Sequence, residues 1–129
     1  HYFRDFAYCD SGMIPWLLIL QLLAKTKKTL SALVQQRVAM YPCSGEINYK
    51  VPAIEPVLAR VLQHFASSEK KEVPHIDKTD GLSLEFDQWR MNIRGSNTEP
   101  LLRLNIESKG DKALVEKRVY EVEALITND

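Results

Sequence analysis

The residues best suited to chemistry form one short run, Arg94-Gly95-Ser96-Asn97-Thr98-Glu99-Pro100, with a second arginine, Arg103, just beyond it. Ser96 and Thr98 supply hydroxyl donors and Asn97 an amide, while Gly95 lets the backbone turn closely so that successive N–H groups converge on one concavity. Arg94 adds a planar fork of donors that matches phosphate geometry and stays charged at any working pH. The chemistry such a set supports is capture of an anion, with Arg94, Gly95, Ser96, Asn97 and Thr98 as the candidate phosphate contacts. Three or four hydrogen bonds to a charged group, at roughly 1.5 to 3 kcal/mol each before ordering costs, give weak recognition of a phosphate alone. On composition alone the run reads equally as a polar turn whose Ser, Asn and Thr serve local backbone hydrogen bonds. Arg103 either reaches the site or pairs with Glu99 or Glu107 across a sheet, the structural role being favoured. No residue is singled out as catalytic.

The elements that must hold this run are legible from periodicity. Leu82, Leu84 and Phe86 alternate with Ser83, Glu85 and Asp87, and Trp89, Met91 and Ile93 alternate with Arg90, Asn92 and Arg94. Period two with one apolar face predicts two strands joined tightly around Asp87-Gln88. After the polar run, Leu102, Leu104 and Ile106 alternate with Arg103, Asn105 and Glu107, a further strand with one wet face. Upstream, Glu46 to Val51 alternates in the same way, Glu72 to Asp77 suits a short strand, and Lys78-Thr79-Asp80-Gly81 a turn. Two helices complete the unit. Ile54, Val57, Leu58, Val61, Leu62 and Phe65 share one helical stripe, and Val115, Val119, Val122 and Ile126 another, with Asp111 in the first turn suiting the dipole. The predicted fold class is α+β, a two-layer sandwich in which a mostly antiparallel four-stranded sheet carries two helices on one face.

The chain before residue 41 is helical in pattern. Asp10-Ser11-Gly12 offers capping oxygens and Pro15 suits a first turn, which predicts a helix from about Met13 to Lys25. Thr29 caps a second, along which Leu30, Leu33, Val34 and Val38 recur. Tyr41-Pro42-Cys43-Ser44-Gly45 ends it, so residues 1–40 and 41–129 are expected to be separate parts. The apolar run from Met13 to Ala24 is short of the roughly 20 residues a bilayer span needs, so a buried helix is expected there, with Trp16 and Trp89 both packed in cores.

Seventeen basic and seventeen acidic residues cancel, so no global field attracts nucleic acid or an anionic membrane, and neither is expected as a partner. Cys9 and Cys43 have neither zinc nor disulfide spacing and read as free thiols of a cytoplasmic protein. His64 and His75 have no partner spacing for a metal. No secretory signal opens the chain, and a first residue other than Met suggests that something upstream has been removed.

The segment RGSNTEPLLRLNIES resembles the C-terminal phosphate-binding motif of the α-D-phosphohexomutases, the family of phosphomannomutases, phosphoglucomutases and phosphoglucosamine mutases. His1 to Phe6 and Cys9 to Met13 resemble the stretch after that family's sugar-binding loop, and Ser44 to Asn48 the opening of its fourth domain. The details look most like bacterial phosphomannomutases that feed GDP-mannose and surface-polysaccharide synthesis. The resemblance implies that residues 1–40 are the helical end of a third domain plus a linker, and that 41–129 are a TBP-like C-terminal phosphosugar-binding domain. For the whole enzyme it implies an isomerase moving phosphate between mannose 6-phosphate and mannose 1-phosphate through a phosphoserine, a hexose 1,6-bisphosphate intermediate and bound magnesium. No stretch here matches the phosphoserine or the magnesium loop, so this part alone is expected to be inactive, without cofactor, and to recognise phosphorylated mannose or glucose. The rival reading is a free-standing regulatory domain that binds a phosphorylated ligand or a protein without catalysis.

Overall fold

A computed structural model describes residues 2–67, 72–96 and 101–127. It divides into two compact units, His1–Arg37 and Val38–Asp129.

In the first unit, strands β1 (Tyr2–Phe3) and β2 (Cys9–Asp10) form a small antiparallel ladder around a 3-10 turn at Arg4–Phe6. Helix α1 (Met13–Thr26) and the start of α2 (Leu30–Met40) follow. The α1 and α2 expectations hold in extent, and Thr29 Oγ1 caps α2 by accepting from Ala32 N at 3.2 Å. Two other expectations fail. Gly12 is the N-cap of α1 and no side chain caps it. No residue of α1 is buried, and Trp16 is 54% exposed. A helix buries an apolar stripe only against another layer, and the one sheet among this unit's described residues is the two-residue ladder of β1 and β2.

The second unit is the expected α+β sandwich, with one more strand than the four predicted. Strands β3 (Ile47–Lys50), β4 (His75–Asp77), β5 (Leu82–Glu85), β6 (Trp89–Gly95) and β7 (Leu101–Ser108) form one antiparallel sheet in the order β3-β7-β6-β5-β4. The fifth member is the short strand expected within Glu72 to Asp77, here β4, which joins the sheet at an edge and pairs only with β5. Helices α3 (Ile54–Ala66) and α4 (Lys112–Thr127) pack on one face. Period two sends Leu82, Leu84, Trp89, Met91, Ile93, Leu102, Leu104 and Ile106 to that face, where they bury against Val57, Val61 and Phe65 of α3 and Val115, Val122 and Ile126 of α4. Trp89 is 4% exposed, as expected, stacked on Phe86 and in edge contact with Phe65.

The ends of these elements are closed by identifiable bonds. Asp111 acts as the cap of α4 rather than in its first turn, its Oδ1 accepting from Leu114 N at 2.9 Å. Before β3, Ser44 N donates to Ile106 O and Ser44 Oγ accepts from Ile106 N. Gly45, at φ +68°, turns the chain between that bridge and β3, a conformation glycine adopts without a Cβ penalty. The helices leave the opposite sheet face open, and the register fixes what stands on it. Arg90 lies opposite Glu107, Asn92 opposite Asn105, and Arg94 opposite Arg103.

Candidate phosphate-binding site

Arg94 is the last open-face residue of β6 and Arg103 the first of β7 to lie opposite a β6 side chain on that face, so the connection between the two strands is bracketed by two guanidiniums. Like charges directly opposite in a sheet are unfavourable. Here each is balanced by a carboxylate on its outer side. Arg94 Nη1 donates to Asp80 Oδ2 at 2.7 Å. Arg103 Nε lies 3.7 Å from Glu46 Oε1, an ion-pair distance too long for a hydrogen bond, and that nitrogen is buried without a hydrogen-bond partner. Arg103 Nη2 reaches Ser96 Oγ at 3.4 Å.

The expected pairing of Arg103 with Glu107 is thereby corrected. Glu107 is held by Arg90, its cross-strand neighbour, because the register places those two opposite each other and carries Arg103 to the other end of the strand. The charge facing Arg103 comes from Glu46, just before β3 on its other side. Glu99, with Asn97, Thr98 and Pro100, lies outside the described residues. The structure therefore brings together Arg94, Ser96 and Arg103, with Gly95 between the first two. Ser96 N closes the strand end by donating to Leu101 O at 2.8 Å. At Gly95 a Cβ would stand 2.7 Å from Ile54 Cδ1, so the absence of a side chain makes room for the start of α3.

Two residues invisible to the motif complete the surroundings. Asp80 belongs to the turn between β4 and β5, and Glu46 precedes β3, so neither is near the loop in sequence. The open face continues as a groove of about 550 Å³ whose lining includes Glu46, Arg94 and Arg103 at one end and His75, Glu85 and Glu107 further along. The turn holding Asp80 is tied by Asp77, whose Oδ1 accepts from Thr79 N at 2.8 Å and Thr79 Oγ1 at 2.6 Å. These two bonds hold the Asp77 carboxyl below its ordinary range. His64 is engaged with Glu121 at 2.7 Å between α3 and α4, on the helix layer. Among the described residues no group of three or more His, Cys, Asp or Glu side chains could hold a metal ion, so the magnesium implied for a whole enzyme has no donor set among them. No helix there is long and apolar enough to cross a membrane.

Comparison with known proteins fits this geometry. The family model for the phosphoglucomutase/phosphomannomutase C-terminal domain matches residues 46–125, and that for the family's alpha/beta/alpha domain III matches residues 1–41. The chain belongs to the phosphoglucomutase/phosphomannomutase family. It is 52% identical over 126 residues to a protein of Xanthomonas campestris pv. campestris (strain B100) described as phosphohexose mutases. It is equally similar, 52% over 126 residues, to the phosphomannomutases of Salmonella typhimurium (strain LT2) and Escherichia coli (strain K12). Each alignment covers 98% of this chain and 27% of the relative, so the chain spans about a quarter of the length of the curated relatives it matches. A crystal structure of a phosphoglucomutase/phosphomannomutase family protein from Burkholderia thailandensis has the same fold over 95% of this chain and 26% of that one, with a TM-score of 0.58 at 18% identity.

Proposed function

We propose that this chain is the C-terminal part of a phosphomannomutase, and that its β6–β7 connection grips the phosphate of mannose 6-phosphate or mannose 1-phosphate that is not reacting. The observation that carries the reading is the cross-strand placement of Arg94 and Arg103 at the mouth of a loop of hydroxyl and amide residues, with Ser96 Oγ beside Arg103. Two adjacent guanidiniums, each with its carboxylate on the outer side, bring two sets of charged donors together at one end of the open sheet face. A phosphate dianion between them would turn their mutual repulsion into two attractions, with Arg103 offering the Nη2 end that already reaches Ser96 Oγ.

Residues 1–40 then belong to the preceding sugar-recognising domain and 41–129 to the phosphate-binding one. Holding one phosphate sets the far end of the sugar toward the phosphoserine that the resemblance implies elsewhere in the enzyme, which is catalysis by positioning. Because the grip touches phosphate rather than sugar, it accepts the hexose in both orientations, as exchange between its 1- and 6-positions demands. The parent enzyme is a cytoplasmic, magnesium-dependent isomerase supplying mannose 1-phosphate for GDP-mannose, and this part alone is inactive. The test is a backbone-amide NMR titration with mannose 6-phosphate, mannose 1-phosphate and inorganic phosphate, repeated on Arg94→Ala. Shifts centred on residues 94 to 98 with all three ligands, lost in the variant, are expected. Shifts that track the sugar, or that survive in Arg94→Ala, contradict the reading.

A further inference from the structure

We infer that Asp80 is a positioning residue for Arg94, fixing which edge of its guanidinium faces the β6–β7 connection; this rests on the phosphate reading above. A guanidinium carries five donors, and the bond from Arg94 Nη1 to Asp80 Oδ2 occupies only one end of the fork. The Nε and Nη2 edge is left for a second acceptor.

The carboxylate is held on a turn fixed from three directions. Asn92 Nδ2 donates to Asp80 O and to Ser83 Oγ, each at 2.9 Å, tying the turn to the open face two residues before Arg94. Thr79 bonds back to Asp77. Gly81, at φ +75°, lies so close to β6 that an added Cβ would meet Arg94 Cβ and Ile93 O at 2.5 Å. The turn therefore presses on the stem of Arg94 while Asp80 takes its tip.

An arginine free to sample its rotamers must be ordered when it binds, whereas one already docked has paid that entropy. Asp80 also repels an incoming anion, but its side chain is 70% exposed, where solvent and salt screen that repulsion. The ordering effect outweighs it.

The deciding experiment measures inorganic phosphate affinity by amide shifts in the 129-residue chain and in its Arg94→Ala, Asp80→Ala and Asp80→Asn variants, alongside nitrogen relaxation of the Arg94 Nε–H. Asp80→Ala is expected to weaken phosphate binding about threefold to fivefold, the scale of an exposed ion pair, and to mobilise Nε. Asp80→Asn keeps an oxygen acceptor for Nη1 and is expected to stay within about twofold of the parent chain, with Nε restrained. Binding by Asp80→Ala as tight as the parent's, or tighter, overturns the inference while leaving the phosphate reading intact, provided Arg94→Ala loses binding. Absence of phosphate shifts in the parent chain overturns the phosphate reading itself and this inference with it.

Discussion

Replacing Gly81 by alanine tests how closely the β4–β5 turn is fitted to the strand that carries Arg94. Two separable costs apply. Gly81 sits at φ +75°, and an L-residue in the left-handed region costs roughly 1–2 kcal/mol. Its new Cβ would also stand 2.5 Å from Arg94 Cβ and Ile93 O and 2.8 Å from Arg94 Cα. These are the backbone and root of a paired strand, with no flexible end to swing aside, and forcing a methyl into such a site costs about 1–3 kcal/mol. The sum is about 2–5 kcal/mol. Gly45 is the control, because its φ of +68° is similar but nothing lies within 4 Å of the Cβ it lacks, so Gly45→Ala should cost only the conformational part, about 1–2 kcal/mol. Urea unfolding followed through the amides of β5 to β7 reports this unit alone, and the shift in midpoint at unchanged slope gives each loss. Equal losses for the two variants, or less than about 1 kcal/mol at Gly81, would show that the turn is not pressed against Arg94 and would refute the close-fit argument.

Two further outcomes follow from the helix side of the sheet. Glu121 accepts from His64 at 2.7 Å and from Arg118 at 2.5 Å, and Arg118 lies over the Trp89 ring, so Glu121→Ala should cost about 1–2 kcal/mol and loosen α4 against α3, read by faster amide exchange in both. Burial first, and then the charge of Glu123, push the Tyr49 hydroxyl above its ordinary value of 10.0. A raised folded-state pKa gives stability that is present below the unfolded value and lost as pH rises through the folded one. Stability should therefore fall above about pH 10, and Tyr49→Phe should flatten that fall in alkaline unfolding experiments.

Much of this was legible in the sequence, for reasons that also explain the rest. The alternations from Leu82 to Phe86, Trp89 to Arg94 and Leu102 to Glu107 identify strands because a half-buried sheet imposes period two, and all of their inward residues but Phe86, which is partly buried against the core, are buried. Strand β4 falls inside the short strand expected at Glu72 to Asp77, but its three residues are exposed and lie at an edge, so no apolar face marks it as a fifth member of the sheet. Trp16 was expected in a core because apolar content does not say which layer a helix will cover, and among the described residues its unit holds no such layer. The anion loop announces itself by composition. Its counter-ions do not, since Asp80 and Glu46 reach the arginines only through the register of β5 with β6 and of β3 with β7. Nor does sequence spacing reveal that Arg94 and Arg103 are direct cross-strand partners, which depends on where the strands close.

The most direct test of the phosphate grip is a pair of crystal structures of this chain, one with mannose 6-phosphate and one with mannose 1-phosphate. Both should show the phosphate within about 3 Å of the Arg94 guanidinium and the Ser96 hydroxyl, with the sugar ring reversed between them. A phosphate bound elsewhere on the chain, or sugar contacts shared while the phosphate position changes, would contradict it.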